Sequence, residues 1–150
     1  MAGRYFDQWQ VGDRIAHEIR RTVTETDNLL FSTMTHNPQP LHLDAHFAAQ
    51  SEFGRILVNS TFTFALMIGL SVGDTTLGSL VANLGYDKVV TPNPVFIGDT
   101  MRAETEVIEL RASKSRPGAG VVTFRHQLLN QRDEVVCQCL RMTLIAGSVS

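Results

Sequence analysis

The chain is poor in cysteine, carries no large excess of either charge and has no long apolar run, and each shortage excludes a class of function. Its only cysteines, Cys137 and Cys139, lie two apart in VVCQCLRMTLI, which reads as a strand. Strand residues at that spacing share a face with Cα atoms about 6.6 Å apart, near the limit for bridging. A structural disulfide is not expected, and two thiols without histidine or cysteine partners make a poor zinc site. Reduced thiols point to a reducing cytoplasm. With 13 Lys and Arg against 15 Asp and Glu, the formal net charge of -2 excludes a protein that coats nucleic acid by neutralising phosphates. No stretch reaches the roughly 20 apolar residues that cross a bilayer. The N-terminal MAGRYFDQWQVGD lacks the basic-then-apolar order of a signal peptide. Glycine-rich phosphate loops, nucleophile elbows and zinc signatures are absent as well.

What is present is the balance of one globular domain over residues 1–150, with 43% hydrophobic and 19% charged residues. Ile15 to Thr24 reads as a first strand. Thr24 then offers an N-cap with Glu25 and Asp27 in the first turn, and Leu30, Phe31 and Met34 follow at helical spacing. That helix must stop at His36-Asn37-Pro38-Gln39-Pro40, where two prolines forbid regular helix. A second short helix is expected from Asp44 to Gln50. Asn59 or Ser60 can cap STFTFALMIGLSV, a segment apolar on every side and therefore expected to be wrapped all round. Four runs of strand composition follow, 79–90, 100–112, 120–130 and 134–146, separated by turn signals. In the second, Met101, Ala103, Thr105 and Val107 alternate with Arg102, Glu104 and Glu106. Short connections favour antiparallel neighbours, so the expected assembly is α+β, a twisted antiparallel sheet curled around one apolar helix.

Polar chemistry concentrates in Thr35-His36-Asn37-Pro38-Gln39-Pro40-Leu41-His42-Leu43-Asp44. The prolines stiffen the loop, which suits side chains that must be preorganised. An imidazole both donates and accepts a proton near neutral pH, which makes His42 the acid/base candidate. The competing reading is a surface loop with His42 satisfied by a backbone carbonyl.

The stretch FSTMTHNPQPLHLDAHFA, residues 31–48, resembles the hydratase signature of the MaoC-like (R)-specific enoyl-CoA hydratases, approximately T-G-D-x-N-P-L-H-x-D. Phe53-Gly54-Arg55 with Val58-Asn59-Ser60 is similar to the family's F-G-x-x-I-V-H-G. Val95-Phe96-Ile97-Gly98-Asp99-Thr100-Met101 resembles its P-V-x-x-G-D-T-L, and 113–118 a common hairpin. The resemblance implies the hot-dog fold, an antiparallel sheet wrapped around a central helix. It implies water addition across a trans-2-enoyl-CoA double bond, with an Asp and a His holding the water. A backbone N–H at the start of the central helix would receive the thioester enolate. The resemblance implies no metal or redox cofactor, and CoA would enter only as part of the substrate. Residue by residue, His42 falls on the family histidine and Asn37 on the family aspartate. The glycine before it becomes His36, the N-P becomes Gln39-Pro40, and the helix-start His-Gly becomes Asn59-Ser60. Asn37 can hold a water but cannot take its proton.

Three readings follow from that exchange. In an Asn-for-Asp subgroup, His42 alone shuttles the proton while Asn37 and Gln39 orient water; or His36 or Asp44 replaces the acid; or the protein binds acyl-CoA without hydrating it. The pattern resembles hydratases of small branched or dicarboxylic CoA esters such as mesaconyl- or itaconyl-CoA. A thioesterase, the third class, would need a carboxylate on the central helix, and Ser60 to Val72 has none. Lys114 and Arg116, in the densest basic cluster, suit CoA phosphates, and Arg55 a substrate carboxylate or a structural ion pair. Asp99 reads as a turn residue, His17, His46 and His126 as ordinary structural histidines, and Phe6 and Trp9 as plugs at the sheet edge. A lone hot-dog unit leaves a sheet edge bare, so a homodimer or dimer of dimers is expected.

Overall fold

Alternation of inward and outward residues organises the computed structural model, which describes residues 3–148. Three long strands follow the expected runs: β4 (Thr100–Ala112), β5 (Gly120–Leu129) and β6 (Val135–Ile145). Met101, Ala103, Thr105 and Val107 point inward and are buried, while Arg102, Glu104 and Glu106 between them are only half-buried. They form one antiparallel sheet with β1 (Arg14–Ala16) and β3 (Leu80–Val90), in the order β1-β4-β5-β6-β3. The strand expected over 15–24 is broken. β2 (Arg21–Thr22) pairs separately with β4, because between the two pieces His17 turns its ring into the core.

Helix α1 (Glu25–Met34) begins with a reciprocal capping box, Thr24 Oγ1 accepting from the Asp27 N–H and Asp27 from the Thr24 N–H. The helix expected near Asp44 is present as α3 (Ala45–Ala49), capped by Asp44. A short α2 (Pro40–Leu43) precedes it, with proline at its first position, where the missing N–H costs nothing. The central helix α4 (Ser60–Thr75) is capped by Asn59 and packs across β4, β5 and β6. Its inward stripe is Thr63, Met67, Ser71 and Thr75, in four-residue steps. The expected all-round wrapping is not realised within this chain, since Thr61, Ala65 and Gly69 face outward and are exposed.

The core has two apolar clusters. One gathers Met67 of α4 with Met101, Leu128, Cys137 and Cys139; the other gathers Trp9 with Val107, Phe124 and Ile145. Both cysteines are free and buried, and burial pushes their thiols up to about 11 and about 12, so neither is a nucleophile at neutral pH. Beside the clusters runs a buried polar string. Asp74 of α4 lies 2.8 Å from His17 Nδ1, His17 Nε2 lies 2.7 Å from Thr105 Oγ1, and Thr105 Oγ1 lies 2.8 Å from His126 Nδ1. His17 and His126 are thus parts of one connected network rather than isolated structural histidines.

Candidate active site

The loop after α1 is fixed by main-chain geometry. The His36 N–H donates to the Thr33 carbonyl and the Asn37 N–H to the Ser32 carbonyl, a helix stop that needs a left-handed residue between them. His36 supplies it at φ +56°, where the related signature has glycine. A side chain there is strained. His36→Gly is therefore expected to raise stability by about 0.5–1 kcal/mol and Tm by roughly 1–4 °C, read by thermal unfolding. A lower Tm would mean the His36 ring makes a compensating contact.

Asn37 closes the next turn, its Oδ1 accepting the Gln39 N–H at 3.1 Å. This leaves the Asn37 amide donors and one oxygen lone pair for a ligand. The main chain of Gln39 then serves α2: its carbonyl accepts the His42 N–H at 3.0 Å. His42 Nδ1 lies 2.6 Å from the Leu57 carbonyl oxygen. A carbonyl can only accept, so Nδ1 carries a proton, and in the neutral ring Nε2 keeps the lone pair. The carbonyl satisfaction expected of a mere surface histidine is present, and it fixes the orientation of the ring.

The segment carrying Leu57 leads into α4. Asn59 is buried; its Oδ1 accepts the Thr61 N–H at 3.0 Å and its Nδ2 donates to Ser32 Oγ at 3.3 Å. Among the described residues the Ser60 N–H has no protein acceptor, so it stands free at the positive end of the helix dipole. Ser60 opens onto a cleft of about 230 Å³ whose lining includes Phe53, Leu57, Thr63, Pro94 and Val136. A somewhat larger groove on the outer sheet face holds Arg14, Glu106 and Arg125, whose charges pair with one another at 3.4 Å.

Hydrogen bonds thus tie Asn37, Gln39 and His42 to the segment that leads through Leu57 and Asn59 to Ser60 at the N-terminal end of α4, though of these site candidates only Ser60 lines the cleft. Three other candidates are placed differently. Arg55 is exposed and stacks on Phe96, its guanidinium carbon 3.8 Å from the ring centre, and no carboxylate pairs with it among the described residues. Lys114 and Arg116 sit on the β4–β5 hairpin tip, where Gly118 packs on Gly147 and Gly120 on Phe6. That is the end of the sheet beside the C-terminus of α4, about 24 Å of helix from Ser60. They do not line the cleft of this chain. Asp44 is consumed as the α3 cap, its Oδ1 accepting the Phe47 N–H. Asp99 shapes its turn, Oδ2 accepting the Phe96 N–H at 2.9 Å. Because α4 continues to Thr75, the helix does carry one acid, Asp74, but at the end remote from the cleft and held by His17.

Sequence reasoning missed Asn28 on α1. Its Nδ2 donates to the His42 carbonyl and its Oδ1 accepts the Asn59 N–H, both at 2.9 Å. The signal available was a polar residue on a helix face that also carries the buried Ser32. Among the described residues no cluster of three or more His, Cys, Asp or Glu side chains is arranged to hold a metal ion. No helix there is long and apolar enough to cross a membrane.

Known proteins resemble this chain in sequence and in shape. The family signature described as MaoC like domain matches residues 7–128. A mesaconyl-CoA hydratase of Cereibacter sphaeroides is 35% identical over 144 residues, covering 96% of this chain and 41% of that protein. The solved MaoC-like dehydratase of Rhodospirillum rubrum superposes with a TM-score of 0.85 at 30% identity, over 99% of this chain and 100% of its own. A conserved hypothetical protein of Mycobacterium tuberculosis with a double hotdog fold gives 0.88 at 25% identity, over 97% of this chain and 45% of its own. The antiparallel sheet around α4 is a hot-dog fold. The chain spans about two-fifths of the length of the first curated relatives it matches, 41% and 40%.

Proposed function

The chain belongs to the MaoC-like dehydratase family, and from that premise we propose that it adds water to a trans-2-enoyl-CoA thioester, giving the 3-hydroxyacyl-CoA, and runs the reverse dehydration. The observation that carries this reading is the His42 ring, whose Nδ1–H is committed to the Leu57 carbonyl so that Nε2 stands as a base. A water held between His42 Nε2 and the Asn37 carboxamide loses a proton to His42 as its oxygen bonds C3. The electron pair of the double bond moves onto the thioester, where the Ser60 N–H and the α4 dipole receive the enolate oxygen. His42 then returns the proton to C2, and the balance is one water added. The addition is redox-neutral and draws only on these side-chain and main-chain groups. Asn37 acts here in place of the family acid, holding the water without taking its proton.

Small branched or dicarboxylic substrates, mesaconyl-CoA first, are favoured by the 35% identity to a mesaconyl-CoA hydratase over 96% of this chain. A second copy belongs to the reading. Strand β3 has no neighbour on its outer side among the described residues, and Leu84, Tyr86, Val89 and Val90 on it are exposed, as are Ala65 and Gly69 on α4. In such a dimer the basic hairpin of one copy is available to CoA phosphates bound by the other. Two buried free thiols suit a reducing, cytoplasmic setting.

The test is loss of enoyl absorbance with crotonyl-, mesaconyl- and itaconyl-CoA. Turnover of at least one is expected from the wild type. Asn37→Asp keeps the turn to Gln39 and is expected to raise crotonyl-CoA hydration at least tenfold, general acid–base catalysis being worth about 10²–10⁴. Tight binding of CoA esters with no turnover by either protein would leave a binding protein and overturn the hydratase reading.

A further inference from the structure

We propose that Asn28 is a positioning residue for this reaction, setting the distance between the His42 base and the Ser60 amide; the inference rests on the hydratase reading. The two halves of the site lie on different segments, the 36–42 loop and the start of α4. Among the described residues the hydrogen bonds that join them directly are at Leu57, whose N–H donates to the Leu41 carbonyl at 3.1 Å and whose carbonyl accepts from His42 Nδ1. Contacts that converge on one residue act as a hinge, and rotation about it would swing His42 toward or away from Ser60.

Asn28 closes the hinge. It comes from a third element, α1, and bonds one residue beyond Leu41 on one side and two beyond Leu57 on the other, at the His42 carbonyl and the Asn59 N–H. One turn further along the same face, Ser32 Oγ accepts from Asn59 Nδ2. The base, the helix cap and α1 form a triangle with Asn28 at its apex. Only a carboxamide of this length fits, since one bond needs a donor and the other an acceptor. Asn28 is 2% exposed, so no water replaces either bond without opening the packing. A displacement of about 1 Å between reacting groups can cost on the order of a hundredfold in rate, the scale of effect expected here.

The experiment compares wild type, Asn28→Leu and Asn28→Asp in steady-state hydration of mesaconyl- and crotonyl-CoA, with the His42 imidazole followed by NMR. Both variants are expected to lose 30- to 100-fold in kcat with KM within threefold, and the His42 Nδ1–H resonance is expected to move or exchange faster. A kcat within threefold of wild type, a fall that only tracks lost folded protein, or an unmoved His42 resonance overturns the proposal. Where Asn28→Leu does not fold, Asn28→Asp decides, because it keeps the bond to Asn59 and sets an oxygen against the His42 carbonyl. On wild type alone, Asn28 side-chain protons exchanging at the solvent rate overturn it as well. A wild type that hydrates none of the enoyl-CoA esters defeats the hydratase reading, and the His42 resonance then decides for or against Asn28 separately.

Discussion

His42→Ala is expected to reduce hydration of the best enoyl-CoA substrate about a thousandfold, the middle of the range for a positioned acid/base, while CoA-ester affinity changes only a few-fold. The reason is the division of labour in the loop. Asn37 is an amide that takes no proton, Asp44 is spent on the α3 cap, and the oxyanion donor is main chain. Neither Asn37 nor Asp44 replaces the lone pair at His42 Nε2. Stopped-flow absorbance gives the rate and calorimetry with the saturated CoA ester gives the affinity. A variant retaining more than a tenth of wild-type kcat would place the base elsewhere.

Acid is expected to destabilise the fold well before ordinary carboxylates titrate, through His126. Its ring is fully buried and stacked with Phe124 at 5.5 Å between centres. Burial first, then the Arg141 charge and His17, holds its proton affinity down to about 3. The unfolded chain binds that proton near 6.5. As pH falls below 6.5 the unfolded state gains a proton that the folded state refuses. The stability is fully present above that value and is lost progressively toward pH 3, by on the order of 1 kcal/mol per pH unit. Urea unfolding at pH 7, 6 and 5 measures it. His126→Gln is expected to flatten the slope in this window even though it unfolds more readily overall. Equal slopes in the two proteins would rule His126 out as the cause.

Much of this architecture is visible from residue order alone, for reasons that differ from element to element. β4 is legible because its alternation runs unbroken from Thr100 to Val107 and one face carries Arg102, Glu104 and Glu106. The α1 boundary is legible because Thr24 and Asp27 can satisfy each other locally. The break between β1 and β2 is not, because it depends on His17 meeting Asp74, 57 residues away. α2 hides behind Pro40, which reads as a stop although it is also the residue best suited to a first helical position. In the candidate site, the loop residues stand out in the sequence because stiffness and polarity coincide in one short stretch. Asn28 and the Asp74–His17–Thr105–His126 string do not, because each residue is ordinary until the fold brings its partner. Lys114 and Arg116 show the converse: a cluster clear in sequence whose place is set by which end of the sheet its hairpin closes.

The two borders of the sheet are unequal in a way that bears on growth. At one border β1 and β2 offer three and two residues, interrupted and polar. At the other, β3 runs for eleven residues but shifts register against β6 three times, with Asp87 and a left-handed Lys88 (φ +49°) near its end. A strand can be added along β3, yet whatever adds there leaves only the short, broken border facing outward. Such a surface accepts one addition and then has no end to extend, so association closes instead of running on into fibres. Bulges in an edge strand work in the same direction, since they twist its outer backbone away from a flat template. The protein can therefore keep a sticky apolar border without carrying the polymerisation hazard that a uniform border would bring.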